Sequence, residues 1–125
     1  MGRDDDAGDG KHWQICGAGL IQQQLQAASA TKDERDIIAY CIDCLLDNPM
    51  NPEGFTVLKA RGRARWSKGE SWIVQLPFGW ILAFECHPEG LMPIAEPIVR
   101  VRNFLRVISG NPPAQETLFP PPNAP

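Results

Sequence analysis

The chain has 125 residues, which is enough for one domain with a hydrophobic core and too few for two. Its formal net charge is −3, yet eight of its 12 Lys and Arg residues lie between positions 54 and 110, a distribution that predicts an anionic partner for the second half. No stretch is apolar for long enough to cross a bilayer and the first residues do not resemble a signal peptide, so we expect a cytoplasmic protein without membrane contact.

The N-terminal half predicts one strand and two helices. Residues 12–16 alternate in polarity, as a short strand does, and residues 19–29 repeat apolar side chains at helical spacing. Thr31 followed by Glu34 is a capping-box pattern, and it predicts a second helix that ends at Asn48-Pro49.

A basic strand is predicted at residues 55–66. Because successive strand side chains point to opposite faces, cations at alternate positions share one face. These cations are Lys59, Arg61, Arg63 and Arg65. A row of like charges is tolerated where it faces water or an anion, so we expect this strand to lie inside an antiparallel sheet with its cations turned away from the second helix.

Three further strands are predicted after the basic one. Residues 71–76 and 80–87 are joined by Pro77-Phe78-Gly79, a short hairpin link that contains glycine. Residues 98–108 form the last strand, whose alternation places four side chains on one face: Arg100, Arg102, Phe104 and Arg106.

The predicted organisation is a single domain at residues 11–110 between two tails. Residues 1–10 are acidic and are expected to be disordered, and residues 111–125 are rich in proline and are expected to be extended and mobile. The order of elements predicts an α+β fold, with two N-terminal helices packed on one face of a four- to five-stranded antiparallel sheet.

This order of elements resembles the RelE/ParE toxin superfamily over about residues 12–108. The matching pieces are the basic segment at 58–65, the hairpin at 72–85 and the strand at 99–104. The resemblance implies the toxin of a toxin–antitoxin module, which arrests growth by inhibiting translation as a metal-independent endoribonuclease. It also implies two partners, a cognate antitoxin protein and RNA on the ribosome.

The chain departs from the family pattern at two places. Ile81 stands where an arginine usually follows the hairpin turn, and the single tyrosine, Tyr40, lies on the second helix rather than near the C-terminus. Two alternatives therefore stay open. One is a toxin of the same fold that acts on a protein such as DNA gyrase, and the other is a non-enzymatic nucleic-acid-binding or interaction module.

The candidate catalytic residues are Glu85, His87, Arg61 and Arg100. Metal-free RNA cleavage needs a base, an acid and cations near the phosphate. Glu85 and His87 are two residues apart on one strand and therefore share a face. In the alternative interpretation, His87 begins a turn before Pro88 and Glu85 pairs with an arginine.

Phosphate binding without chemistry is the expected role of the remaining cations. Phe104 is predicted to lie beside the arginines, where it could stack on a base. The expected nucleic-acid-binding residues are Lys59, Arg61, Arg63, Arg65, Lys68, Arg100, Arg102, Phe104 and Arg106.

Cys41 and Cys44 have a C-x-x-C spacing that Cys86 and His87 could complete as a zinc site. Both cysteines of the pair fall on the apolar face of the second helix, as buried thiols do. We therefore expect no metal, no other cofactor and no disulfide.

Overall fold

The computed structural model describes residues 12–49, 52, 54–59, 69–107 and 115–119. Its elements are β1 (Gln14–Cys16), α1 (Ala18–Ala27), α2 (Lys32–Asp47), β2 (Val57–Lys59), β3 (Glu70–Gln75), β4 (Trp80–His87), β5 (Ile98–Arg106) and α3 (Gln115–Leu118). The predicted α+β order of a strand, two helices and four strands is confirmed, and a short third helix follows it. No helix in these ranges combines the length and the apolar character needed to span a membrane.

The five strands form one sheet in the order β1-β5-β4-β3-β2. Strands β2 to β5 pair antiparallel, whereas β1 pairs parallel with β5. The sheet is therefore mixed, and the prediction of a wholly antiparallel sheet is wrong at β1. Parallel pairing is possible here because two helices and three strands separate β1 from β5, far more chain than a parallel connection requires.

The basic strand was predicted inside the sheet, but its described part, β2, stands at the end of the strand order. Val57 packs against the core, whereas Leu58 is half exposed, so the two faces are reversed relative to the prediction. Four predicted nucleic-acid-binding residues lie outside the described part of the chain: Arg61, Arg63, Arg65 and Lys68.

Local sequence features determine where both long helices begin. Thr31 Oγ1 accepts a hydrogen bond from the Glu34 amide at 3.1 Å, which confirms the predicted cap of α2. Gly17 precedes α1 with φ 92°, a conformation that favours glycine, and a Cβ added there would lie 3.2 Å from Val101 Cβ. The chain therefore needs glycine where it turns from β1 into α1 against β5.

Every residue of β4 is buried, and alternate residues of the strand belong to two different apolar clusters. Trp80, Leu82, Phe84 and Cys86 join the buried side chains of α1 and α2 in the larger cluster. Ile81 and Ala83 pack with Leu118 and Phe119 in the smaller one. Because successive strand side chains point to opposite faces, the two clusters lie on opposite sides of the sheet.

A β-bulge interrupts the pairing of β4 with β5. Phe84 lies opposite Val101, and the preceding residue, Ala83, lies opposite Asn103. Arg102 is therefore the extra residue of β5, which bends the strand and restarts its alternation of faces.

The bulge overturns the predicted faces of the end of β5. Phe104 was expected beside the arginines, but it is fully buried in the larger cluster, with its ring stacked 4.4 Å from that of Trp80. Arg106 also leaves the face of Arg100, since it lies over the Trp80 ring. The sequence alternation did not reveal the shift because a bulge adds one residue without changing the residue types around it.

Residues 115–119 differ from the extended, mobile tail expected for 111–125. Leu118 and Phe119 are each 1% exposed and pack in the smaller cluster. Asn103 Nδ2 donates a hydrogen bond to the Thr117 carbonyl oxygen at 2.7 Å. Two apolar side chains thus anchor this segment to the sheet despite the proline-rich composition around it.

Replacing Leu118 by Ala should lower the free energy of unfolding by about 2–5 kcal/mol, because a buried leucine leaves a cavity. Ile94→Ala is a suitable control, since Ile94 is half exposed, and it should change the value by less than about 0.5 kcal/mol. Urea unfolding followed by circular dichroism measures both. Equal midpoints for the two variants would mean that α3 does not dock stably.

Candidate functional site

The centre of the candidate site is Glu85, a fully buried carboxylate on the central part of the sheet. It lies opposite Ser71 of β3 and Arg100 of β5. Taking an ionised carboxylate out of water is costly unless charged or hydrogen-bonding partners surround it. We call Glu85, His87, Arg100 and Arg102 the Glu85 cluster.

His87 is oriented by the carboxylate two residues before it. Its Nε2 atom lies 2.8 Å from Glu85 Oε1, and the residue is 8% exposed. A carboxylate only accepts hydrogen bonds, so Nε2 donates here, and in the neutral form of an imidazole the other nitrogen is then an acceptor. A Cβ at position 69 would lie 2.8 Å from His87 Cε1, so Gly69 leaves the space that the ring occupies.

Two arginines of β5 complete the cluster. Arg102 Nη1 donates to Glu85 Oε2, and this buried guanidinium balances the carboxylate charge. Arg100 Nη1 lies 3.8 Å from Glu85 Oε1, and its side chain remains 32% exposed. Arg102 is thus an internal partner, whereas Arg100 presents a cation at the edge of the cluster.

Three of the predicted catalytic residues, Glu85, His87 and Arg100, are brought together, while Arg61 lies outside the described residues. The alternative in which Glu85 pairs with an arginine also holds, through Arg102. Chemically, the arrangement offers an oriented imidazole and a one-third-exposed cation that contact the same carboxylate. It can therefore move a proton close to a bound phosphate.

The other predicted nucleic-acid-binding residues within the described ranges do not share one surface. Lys59 is exposed at the edge of the sheet, 3.9 Å from Glu70 and 5.6 Å from the centre of the Trp72 ring. Phe104 and Arg106 lie on the side of the larger cluster, away from Glu85. Arg102, which was also predicted to bind nucleic acid, is buried.

A second polar cluster, which the sequence did not reveal, lies on that opposite side. Glu34 Oε2 accepts from Trp80 Nε1 at 2.6 Å and also from Arg106 Nη2. The Arg106 guanidinium lies 4.8 Å from the centre of the Trp80 ring. The capping-box position of Glu34 was visible in the sequence, but its contacts with β4 and β5 depend on how α2 packs.

Glu34 illustrates how hydrogen bonding can outweigh burial. The Trp80 hydrogen bond is the largest cause that lowers the pKa of this carboxyl, burial opposes it, and Arg106 lowers the pKa further. The charged form is therefore stabilised in the folded protein.

The stability of the protein should accordingly fall as the pH drops below the ordinary glutamate range, about 4.3. Because the pKa is lowered in the folded state, the contribution of Glu34 is present above that range and is lost as the pH falls through the folded-state value. Glu34→Gln removes this titration, so its thermal midpoint should depend less on pH between about 5 and 3. Equal slopes for the variant and the parent protein would refute this assignment.

Two of the cysteines, Cys41 and Cys86, keep their protons in the folded protein. Burial, with a smaller effect of Glu70, raises the pKa of Cys86 to about 12. Burial also raises the pKa of Cys41, with Cys44 adding to the effect. Both thiols therefore remain protonated near neutral pH, and metal ions bind thiolates rather than thiols.

Within the described ranges, no group of three or more His, Cys, Asp or Glu side chains could hold a metal ion. No protein-family model, curated protein or solved structure matches the chain. The Glu85 cluster and the order of the elements are therefore the observations from which a function can be proposed.

Proposed function

We propose that this chain is the toxin of a toxin–antitoxin module with a RelE/ParE-like fold, and that it cleaves RNA during translation without a metal ion. The order of one strand, two helices and four strands supports the fold. In this proposal the two N-terminal helices pack on one face of the sheet, because their buried residues belong to the larger cluster. The opposite face then carries the Glu85 cluster.

The Glu85 cluster is the observation that carries the proposal. RNA contains its own nucleophile, the 2′-hydroxyl, so its cleavage requires little more than proton transfer and charge neutralisation. His87, with its ring fixed by Glu85 at 2.8 Å, accepts the proton of the 2′-hydroxyl. The oxygen attacks the adjacent phosphorus, the bond to the 5′-oxygen breaks, and that oxygen takes up a proton from solvent.

Arg100 supplies the charge for the phosphate. Its side chain is one-third exposed, and it lies at the edge of a cluster whose carboxylate is already neutralised by Arg102. The cations of the second half of the chain extend the attraction for a polyanion. In the cytoplasm the partners are RNA on the ribosome and a cognate antitoxin, a protein with an acidic segment that covers this surface.

A non-enzymatic nucleic-acid-binding module is the second candidate. The complete burial of Glu85 and the low exposure of His87 favour it, because buried ion pairs also serve structural roles. In that case Arg100 contacts phosphate and no bond is cleaved.

The two histidines of the chain allow a matched test of catalysis. His87→Gln should reduce the rate of RNA cleavage in the presence of a chelator by about 10²–10⁴-fold, the usual contribution of a general acid or base. His12→Gln is the control, since His12 contacts Asp47 at 2.7 Å and lies outside the cluster. Cleavage is followed on a labelled single-stranded RNA, and growth arrest is followed on induction with and without any antitoxin gene.

An unchanged rate in a folded His87→Gln variant would exclude His87 from catalysis. RNA binding by the parent protein without cleavage would instead select the non-enzymatic module. Growth arrest without RNA binding would point to a protein target such as DNA gyrase.

Arg100 and Arg106 provide a second matched pair, because both belong to β5 and their side chains are 32% and 33% exposed. Arg100→Ala should weaken RNA binding and lower the salt slope of the affinity by about one, the effect of losing one phosphate contact. Arg106→Ala removes the same charge from the other side of the sheet and should leave the slope unchanged. Equal salt slopes for the two variants would show that Arg100 is not a specific phosphate contact.

A further inference from the structure

Phe119 packs against the face of the sheet that carries the Glu85 cluster. The Arg102 guanidinium carbon is 5.7 Å from the centre of the Phe119 ring, within the range of a cation–π contact. Phe119 itself is 1% exposed. An aromatic ring of the same chain therefore contacts the Arg102 guanidinium.

The place that this ring occupies has the features of a site for a flat aromatic group. Arg102 is fixed because its Nη1 donates to Glu85. Ile81 and Ala83 form the apolar floor, and Leu105 packs against the same cluster. A fixed guanidinium plane beside an apolar floor is the combination on which proteins stack unpaired nucleobases.

The position of this place relative to Arg100 indicates which aromatic group it takes. Arg100 and Arg102 reach the two carboxylate oxygens of the same residue, Glu85, so their guanidinium groups are neighbours. A phosphate at Arg100 therefore carries a base within reach of Arg102.

We propose that Arg102 and the smaller apolar cluster form a nucleobase-binding subsite, and that Phe119 fills this subsite when RNA is absent. The inference rests on the proposed function, since the base belongs to the RNA whose phosphate contacts Arg100. RNA binding then displaces residues 115–119, and this segment acts as an internal competitor for the base. Among the described residues, the buried side chains of Leu118 and Phe119 and the hydrogen bond from Asn103 to Thr117 hold the competing segment.

The test compares two RNA probes of the same length. One is a 2′-O-methyl RNA, which lacks the nucleophile and is not cleaved, and the other carries abasic residues and so keeps the phosphates without the bases. Phe119→Ala should bind the first probe about tenfold more tightly than the parent protein does, which is within the usual contribution of one stacked base. Its affinity for the abasic probe should be unchanged.

Phe119→Leu is the control for a loss of folding in Phe119→Ala, because leucine keeps most of the buried apolar surface but lacks the ring. It should also bind the base-containing probe more tightly than the parent protein, with a thermal midpoint closer to that of the parent. Hydrogen exchange gives an independent readout. The amides of residues 117–119 should exchange faster when the 2′-O-methyl RNA is bound to the parent protein.

The outcomes separate this inference from the proposed function. An equal gain on both probes, or no gain on either, would overturn the base subsite while the binding of RNA by the parent protein still supports the proposed function. Unchanged exchange at residues 117–119 would also overturn it. A parent protein and variants that bind neither probe would overturn the proposed function and this inference together.

Discussion

A carboxylate buried in the middle of a sheet is the constraint on which the rest of this structure depends. Glu85 has no exposed surface, so its charge must be balanced within the protein. Arg102 balances the charge and His87 donates a hydrogen bond to the carboxylate, and each side chain is oriented in doing so. The cost of burying one charge therefore fixes the positions of a cation and an imidazole. Removing Arg102 would break this buried ion pair, which typically costs about 3–5 kcal/mol.

The bulge at Arg102 connects this constraint to the packing of the helices. It turns Arg102 towards Glu85, and it sends Arg106 to the other side of the sheet, where Glu34 of α2 accepts from it. The Glu85–Arg102 and Glu34–Arg106 pairs thus lie on opposite sides of the sheet. One of them ties α2 to β4 and β5, and the other forms the candidate site. A single extra residue in β5 makes both pairs possible.

The C-terminal segment, residues 115–119, both stabilises the fold and covers part of the Glu85 cluster. Leu118 and Phe119 cover the smaller apolar cluster, and the same Phe119 ring contacts Arg102. Side chains that shield apolar surface from water therefore also shield the site. A ligand that enters this place must replace the apolar contacts that it displaces, and a flat aromatic group can do so. In the proposed subsite, fold stability and occupancy consequently depend on the same few side chains.

The sequence by itself determined the features that depend on neighbouring residues. The order of the elements, the Thr31 cap and the extent of β4 followed from local patterns, and the two-residue spacing of Glu85 and His87 placed both on one face. The tertiary structure alone decided the parallel pairing of β1 and the edge position of β2, because strand order depends on contacts between distant residues. It also decided the bulge at Arg102 and the docking of residues 118–119, since both depend on which surface each side chain meets. Periodicity determines which residues share a face until an extra residue interrupts it, and only the paired strand shows where that happens.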